Sequence, residues 1–208
     1  WRDQSAARDL FRLPGIATAL AAAGQADWLY LSGITLSILT KDDRKRLIAL
    51  AREVRAGGGK VAFDPNYRPA GWPDPDAAQA AFDAFAAVTD VALPTRSDED
   101  LLHPGLETTG HLARWQALGV ETVILKDGPA GCHAASGGAS PTHFPAFPPQ
   151  RIVDTTGAGD AFNAGLLGAL ASGTPLAAAL DAACRRASHA IAHHGAIPPR
   201  TEPSPVSR

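Results

Sequence analysis

Short apolar runs alternate along the chain with longer stretches in which apolar residues recur every three or four positions. Trp28-Leu29-Tyr30-Leu31 is an unbroken run between Asp27 and Ser32-Gly33, the form of a strand buried on both faces of a parallel sheet. From Asp42 to Ala56 the spacing becomes helical, with Leu47, Leu50, Ala51 and Val54 on one face and Gly57-Gly58-Gly59 as the stop. Lys60 to Asp64 predicts the next strand. The rhythm continues with a helix near Asp76 to Ala87, a strand Asp90 to Leu93, a helix near Thr108 to Leu118 and a strand Thr122 to Lys126. Such alternation predicts an α/β fold built on a doubly wound, mostly parallel sheet with helices on both faces.

The ends of the chain read differently. Ser5 to Ala23 predicts a helix with Ser5 as N-cap and Gly24 as stop, broken or kinked at Pro14-Gly15. Gly131 to Ala135 predicts a strand that returns antiparallel, and Pro141 to Gln150, with its four prolines, predicts a loop or edge. Two Ala-rich helices, near Ala158 to Ala171 and Pro175 to His194, close the fold. Residues 1–196 are therefore expected to form one domain, and 197–208 a Pro-rich tail, disordered or loosely draped.

Composition narrows the function. The 208 residues are 45% apolar, enough for a continuous core, and a net charge of -2 without long blocks of one sign makes nucleic acid an unexpected partner. No apolar run reaches the roughly 18 residues needed to cross a bilayer, so no membrane partner is expected. Cys132 and Cys184 lack metal-ligand spacing and fit a reducing, cytoplasmic setting. His189 and His193 fall four apart on one helix face, yet no third ligand is evident, and no metal site is assigned to them.

The sharpest chemical feature is Asp154-Thr155-Thr156-Gly157-Ala158-Gly159-Asp160-Ala161-Phe162, a loop of small residues that opens into an apolar helix. Glycines let the backbone approach a ligand, and the first N–H groups of a helix have no partner within it, so the string is suited to an anion. Asp160 beside such a site has two readings: a carboxylate that favours the helix N-terminus, or a base that accepts a proton from an attacking hydroxyl. A Walker loop, a Gly-x-Gly-x-x-Gly fingerprint after a strand and a Ser nucleophile elbow are all absent from the sequence.

The string resembles the signature of the ribokinase-like, or PfkB, carbohydrate kinases. Tyr30-Leu31-Ser32-Gly33-Ile34-Thr35-Leu36, Phe63 to Pro69, Leu93-Pro94-Thr95 and Leu125 to Gly131 resemble the 2-keto-3-deoxygluconate kinase branch of that family. The resemblance implies that Asp160 is the catalytic base and that Gly157, Ala158 and Gly159 stabilise developing charge. It implies that Asn66 and Arg68 lie between ATP phosphates and substrate, and that Arg2 meets the acid end of the sugar. Lys126, Gly128 and Gly131 then resemble the nucleotide loop, to which Gly157 and Gly159 also contribute. Arginine forks match carboxylate and phosphate oxygens, which suits an acidic sugar; read alone, Arg68 fits a surface ion pair and Arg2 a solvated terminus.

The implied small-molecule partners are ATP and a sugar acid, with Mg2+ held largely by phosphate and water so that no protein metal ligand is assigned. Asp154 and Thr156 have two readings, as a monovalent cation site or as a hydrogen-bonded turn. Family members begin with a strand and a β lid that do not precede Trp1, so the chain reads as N-terminally incomplete, and the full-length form is expected to be a homo-oligomer. Three alternatives stay open: a related kinase acting on fructose, ribose or 2-keto-3-deoxygalactonate, a nucleotide-binding remnant without turnover, and a structural module in which the Gly-rich loop is a helix cap.

Overall fold

The computed structural model describes residues 6–198. Six strands form one sheet in the order β1 (Trp28–Ser32), β2 (Lys60–Asp64), β3 (Val91–Ala92), β4 (Thr122–Lys126), β5 (Cys132–Ser136) and β6 (Thr142–Phe144). β1 to β4 are parallel, with Leu31 opposite Phe63 and Ala92 opposite Val123. β5 returns antiparallel on β4, as expected, and pairs Cys132 with Lys126. The α/β class expected from the alternation is the one found: a mixed, mostly parallel sheet flanked by helices in the ribokinase-like, doubly wound manner.

Between these strands the chain forms α1 (Ile16–Ala23), α2 (Gly33–Ile38), α3 (Lys41–Ala56), α4 (Pro75–Ala86), α5 (Arg96–Leu102) and α6 (Thr108–Ala117), and after them α7 (Ala158–Ala171) and α8 (Leu176–Ile191). Local chemistry sets several starts. The side chains of Ser32, Thr40 and Asp74 accept from Ile34, Asp43 and Ala77 N–H at the starts of α2, α3 and α4, and Pro75 takes the first turn of α4, where no N–H is needed.

The residues fall into two compact units. One holds the described residues up to Gly128 together with Cys132–His143, and the other holds Pro129–Gly131 and the described residues from Phe144 to Pro198. In the first, Val61, Phe63, Ala92, Val123 and Leu125 point from one face of the sheet into a core with Leu47, Leu50, Val54, Phe82, Phe85, Leu112 and Trp115. Phe63 is its hub, with ring centroids 4.9 Å from Phe85, 5.8 Å from Phe82 and 6.2 Å from Trp115. Burying each such side chain contributes about 1.5–3 kcal/mol. Ala62, Leu93 and Ile124, which alternate with these residues, are buried too, so the middle strands are covered on both faces. In the second unit α7 and α8 pack on each other.

Some expectations need correction. Ala6–Arg12 is a 3-10 helix that buries Phe11, and α1 starts only after Gly15, whose backbone is left-handed. Ser5, the expected cap, lies outside the described residues. The strand expected from Asp90 to Leu93 shrinks to Val91–Ala92, while the proline-rich stretch after Ser140, expected as a loop or edge, carries the edge strand β6. Two helices, α2 and α5, were not expected. The His189 and His193 rings lie 4.7 Å apart at a tilt of 53°, and among the described residues no group of three metal-binding side chains converges. No helix of the described residues is long and apolar enough to cross a membrane. Of the tail, residues 199–208 lie outside the described residues.

Candidate active site

In the second unit, the loop before α7 is a turn held from within. Asp154 accepts the Thr156 N–H through Oδ1 and the Gly195 N–H through Oδ2, both at 2.8 Å. These bonds, with the Thr156 side chain as the largest contributor, lower the Asp154 carboxyl to about 2 and keep it ionised. Gly157 caps α7 with φ 76, and a Cβ there would meet Ala196 Cβ at 2.8 Å and Cα at 2.9 Å. The position demands glycine twice, for its left-handed backbone and for its lack of a side chain.

The consequence appears at the helix N-terminus. Ala161 N–H reaches Gly157 O at 2.8 Å and begins the helical ladder, whereas the N–H groups of Gly157, Gly159 and Asp160 have no acceptor among the described residues. They are joined by the exposed carboxylate of Asp160 in the first turn. The arrangement offers backbone donors for an anion and an acceptor for a proton within one turn of helix.

In the first unit, a second group of polar side chains gathers at the C-terminal ends of β2 and β4, the end at which open α/β sheets bind ligands. Asp64 is buried, accepts the Asn66 N–H through Oδ1 at 3.0 Å and meets Lys126 Nζ through Oδ2 at 2.7 Å. Asn66 has φ 37, the one non-glycine with positive φ among the described residues, a conformation that asparagine tolerates better than most. Its turn carries Tyr67 inward and presents Arg68. The Arg68 guanidinium donates to Tyr67 O at 2.8 Å, lies 3.6 Å from Asp98 Oδ2, and is half exposed.

Asp98, on α5, also accepts the Tyr67 N–H at 3.1 Å. Burial raises its proton affinity and the neighbouring Asp64 adds to this, while Arg68, the Tyr67 N–H and Lys126 act the other way. Beyond Lys126 the chain turns through Gly128, at φ 52, to Gly131. At Gly131, φ is 98 and a Cβ would lie 2.1 Å from Phe144 O, which closes the position to any side chain.

A family model described as "pfkB family carbohydrate kinase" matches residues 3–203. The chain belongs to the pfkB family of carbohydrate kinases. Among relatives of this pfkB chain, 2-dehydro-3-deoxygluconokinase of Dickeya dadantii (strain 3937) is 40% identical over 204 residues, covering 96% of the chain and 65% of the relative. Fructokinase of Klebsiella pneumoniae is 38% identical over 152 residues, covering 73% of the chain and 48% of the relative. The crystal structure of aminoimidazole riboside kinase from Salmonella enterica, complexed with aminoimidazole riboside and an ATP analog, is 29% identical with a TM-score of 0.72, covering 81% of this chain and 57% of that one. The chain thus spans about 65% of the length of the 2-dehydro-3-deoxygluconokinase it matches.

The expected residues of this pfkB chain fall into two sets. Asp154, Thr156, Gly157, Ala158, Gly159 and Asp160 share the loop and first turn of α7, and Asn66, Arg68 and Lys126 share the strand ends with Asp64. Lys126 turns its ammonium to buried Asp64, so its direct partner is a carboxylate of the protein itself. Arg2 lies outside the described residues. Asp64 and Asp98 were not singled out from sequence. Asp64 had a signal, a carboxylate ending the otherwise apolar Val61-Ala62-Phe63; Asp98 sits among Asp98-Glu99-Asp100 and had none.

Proposed function

We propose that the protein transfers the γ-phosphoryl group of ATP to the primary hydroxyl of 2-keto-3-deoxygluconate, giving the 6-phosphate. The observation that carries this reading is the pairing of unbonded N–H groups at Gly157, Gly159 and Asp160 with the Asp160 carboxylate in the first turn of α7.

Asp160 accepts the proton of the hydroxyl as its oxygen forms a bond to the γ-phosphorus, and the bond from that phosphorus to the bridging oxygen breaks to release ADP. Negative charge on the transferring group meets the N–H groups of Gly157 and Gly159 and the positive end of α7, while Ala158, expected to join them, has its N–H held by Thr155 O at 3.2 Å. Phosphoryl transfer of this type is mainly positioning and charge stabilisation, so a rigid donor array is the appropriate device. The Asp154 turn supplies that rigidity, and its ionised carboxylate is the charge that a monovalent cation beside Thr156 would meet.

Arg68 is assigned to the charged ends of nucleotide or sugar, because its fork is half exposed and still oriented by Tyr67 O and Asp98. Asn66, Gly128 and Gly131 are assigned to the nucleotide, Lys126 acts beside them through Asp64, and Arg2 is assigned to the acid end of the sugar. Mg2+ bound with ATP would be held mainly by phosphate oxygens and water and would supply neutralisation of phosphate charge, and Asp98, beside Arg68, is the carboxylate that would face its waters.

Similarity to 2-dehydro-3-deoxygluconokinase along almost the whole chain supports the acidic sugar, and similarity to fructokinase over a shorter span supports fructose as the second reading. ATP-dependent phosphorylation of 2-keto-3-deoxygluconate, fructose and ribose, compared side by side, separates them. The expected result is a kcat/KM for the keto acid at least about tenfold above the others. A preference for fructose overturns the substrate, and ATP binding without phosphorylation of any sugar overturns the kinase reading for this chain.

A further inference from the structure

Arg96 opens α5, and its guanidinium reaches three places in the first unit. Nη1 lies 2.6 Å from the Thr108 hydroxyl and 3.6 Å from Asp127 Oδ2. Nη2 lies 3.6 Å from Glu107 Oε2, and Nε lies 3.7 Å from Asp100 Oδ2 on its own helix. Glu107 and Thr108 are the cap and first residue of α6, while Asp127 follows β4 and precedes Gly128. One cation therefore ties the start of α5 to the start of α6 and to the turn that leaves the sheet.

The strand itself is fixed without Arg96. Lys126 N–H donates to Pro94 O at 2.8 Å, Thr95 bridges to Lys126, and the Lys126 ammonium is held by Asp64. Those restraints end at Lys126. The next residue, Asp127, has Arg96 as its one ion-pair partner among the described residues, and Gly128 then adopts φ 52, a left-handed backbone that glycine takes without strain, and opens a 3-10 turn, Gly128–Ala130. A single exposed ion pair would be weak. Here the Arg96 side chain is only 30% exposed and its planar fork is already oriented by Thr108, so little freedom is lost on gripping Asp127.

We infer that Arg96 is a positioning residue that sets the place of Asp127 and Gly128 at the entry to the loop assigned above to the nucleotide. Its effect on nucleotide binding rests on that assignment, and the positioning itself rests on the contacts alone. Arg96 touches no reacting group. Its loss should lower nucleotide affinity and leave the response to sugar unchanged.

The test uses Arg96→Ala, Arg96→Lys, Asp127→Asn and the Arg96→Ala/Asp127→Asn double variant, with two readouts. The first is the nitrogen-15 relaxation of the Asp127 and Gly128 amides without nucleotide, and the second is ATP affinity by calorimetry. Both amides should be more mobile in every variant than in the parent protein. ATP should bind about fivefold more weakly to either single alanine or asparagine variant, with no further loss in the double variant. Lysine should restore only part of the affinity, since an ammonium does not hold Thr108 and Asp127 as a fork does. The Michaelis constant for the sugar should stay within about twofold of the parent value.

Unchanged amide relaxation in Arg96→Lys and Asp127→Asn, which keep most of the helix contacts, overturns the positioning role whatever ATP does. Additive losses in the double variant overturn the Arg96–Asp127 link as its route. A parent protein that binds no ATP sinks the kinase reading instead, and the relaxation result still decides whether Arg96 holds the turn.

Discussion

Lys126 Nζ and Asp64 Oδ2 lie 2.7 Å apart at the ends of β4 and β2, with side chains 9% and 3% exposed. Taking both charges out of water is costly, and their attraction together with the Asn66 N–H bond to Asp64 offsets that cost. The pair fixes two strand ends side by side and orients the turn that presents Arg68.

Breaking that pair from one side leaves a buried charge without compensation. Lys126→Met should cost about 3–5 kcal/mol in urea unfolding, and Asp64→Asn with Lys126→Met should cost less than Lys126→Met alone. A loss below about 1 kcal/mol for the single variant would show that the pair is well hydrated in solution.

Gly157→Ala strains a left-handed backbone and drives a methyl group into Ala196. The expected outcome is a local cost of about 1–3 kcal/mol and a loss of turnover of about 10²-fold, as the N–H groups of the loop move off their target. Thermal unfolding and kcat measure the two effects, and unchanged kcat would remove the loop from the chemistry.

The carboxyl of Glu99 is 1% exposed, and neither of its oxygens meets hydrogen-bond geometry in the structure. Burial pushes it up to about 7; the Trp115 indole N–H and Arg114 act in the opposite direction, and Asp98 and Asp83 reinforce the rise. His111 Nδ1 faces it at 3.9 Å, while His111 Nε2 is bonded to Asp100 at 2.8 Å. Between the ordinary value of 4.5 and about 7 the folded protein holds more protons than the unfolded chain, so stability falls as pH rises through that window. The drop from this group should be about 3 kcal/mol, levelling above pH 7, and Glu99→Gln should flatten it. Urea unfolding at pH values from 5 to 8 measures it; an equally steep fall in Glu99→Gln would place the effect elsewhere.

Much of this was legible in the sequence because burial and periodicity coincide. The helix from Asp42 and the strands Lys60–Asp64 and Thr122–Lys126 carry patterns that their surroundings only reinforce. α2 was hidden because Ile34, Thr35 and Ile38 are β-branched and continue the apolar run of β1, so the Ser32 cap was the single sign of a new element. α5 was hidden because its seven residues are too few to show a period and three of them are acidic. The loop before α7 was readable as a glycine-capped turn opening a helix with free N–H groups, since its chemistry is local. The Asp64–Lys126 pair was not, because its partners are 62 residues apart and meet only through sheet register. Arg68 and Asp98, 30 positions apart, meet for the same reason.

The most direct test of the account is Asp160→Asn, assayed for turnover with 2-keto-3-deoxygluconate and for ATP affinity in the same preparation. The proposed base predicts a fall in kcat of about 10²-fold or more with ATP affinity nearly unchanged. Turnover equal to that of the parent protein would contradict the assignment and leave Asp160 as a helix N-terminal carboxylate.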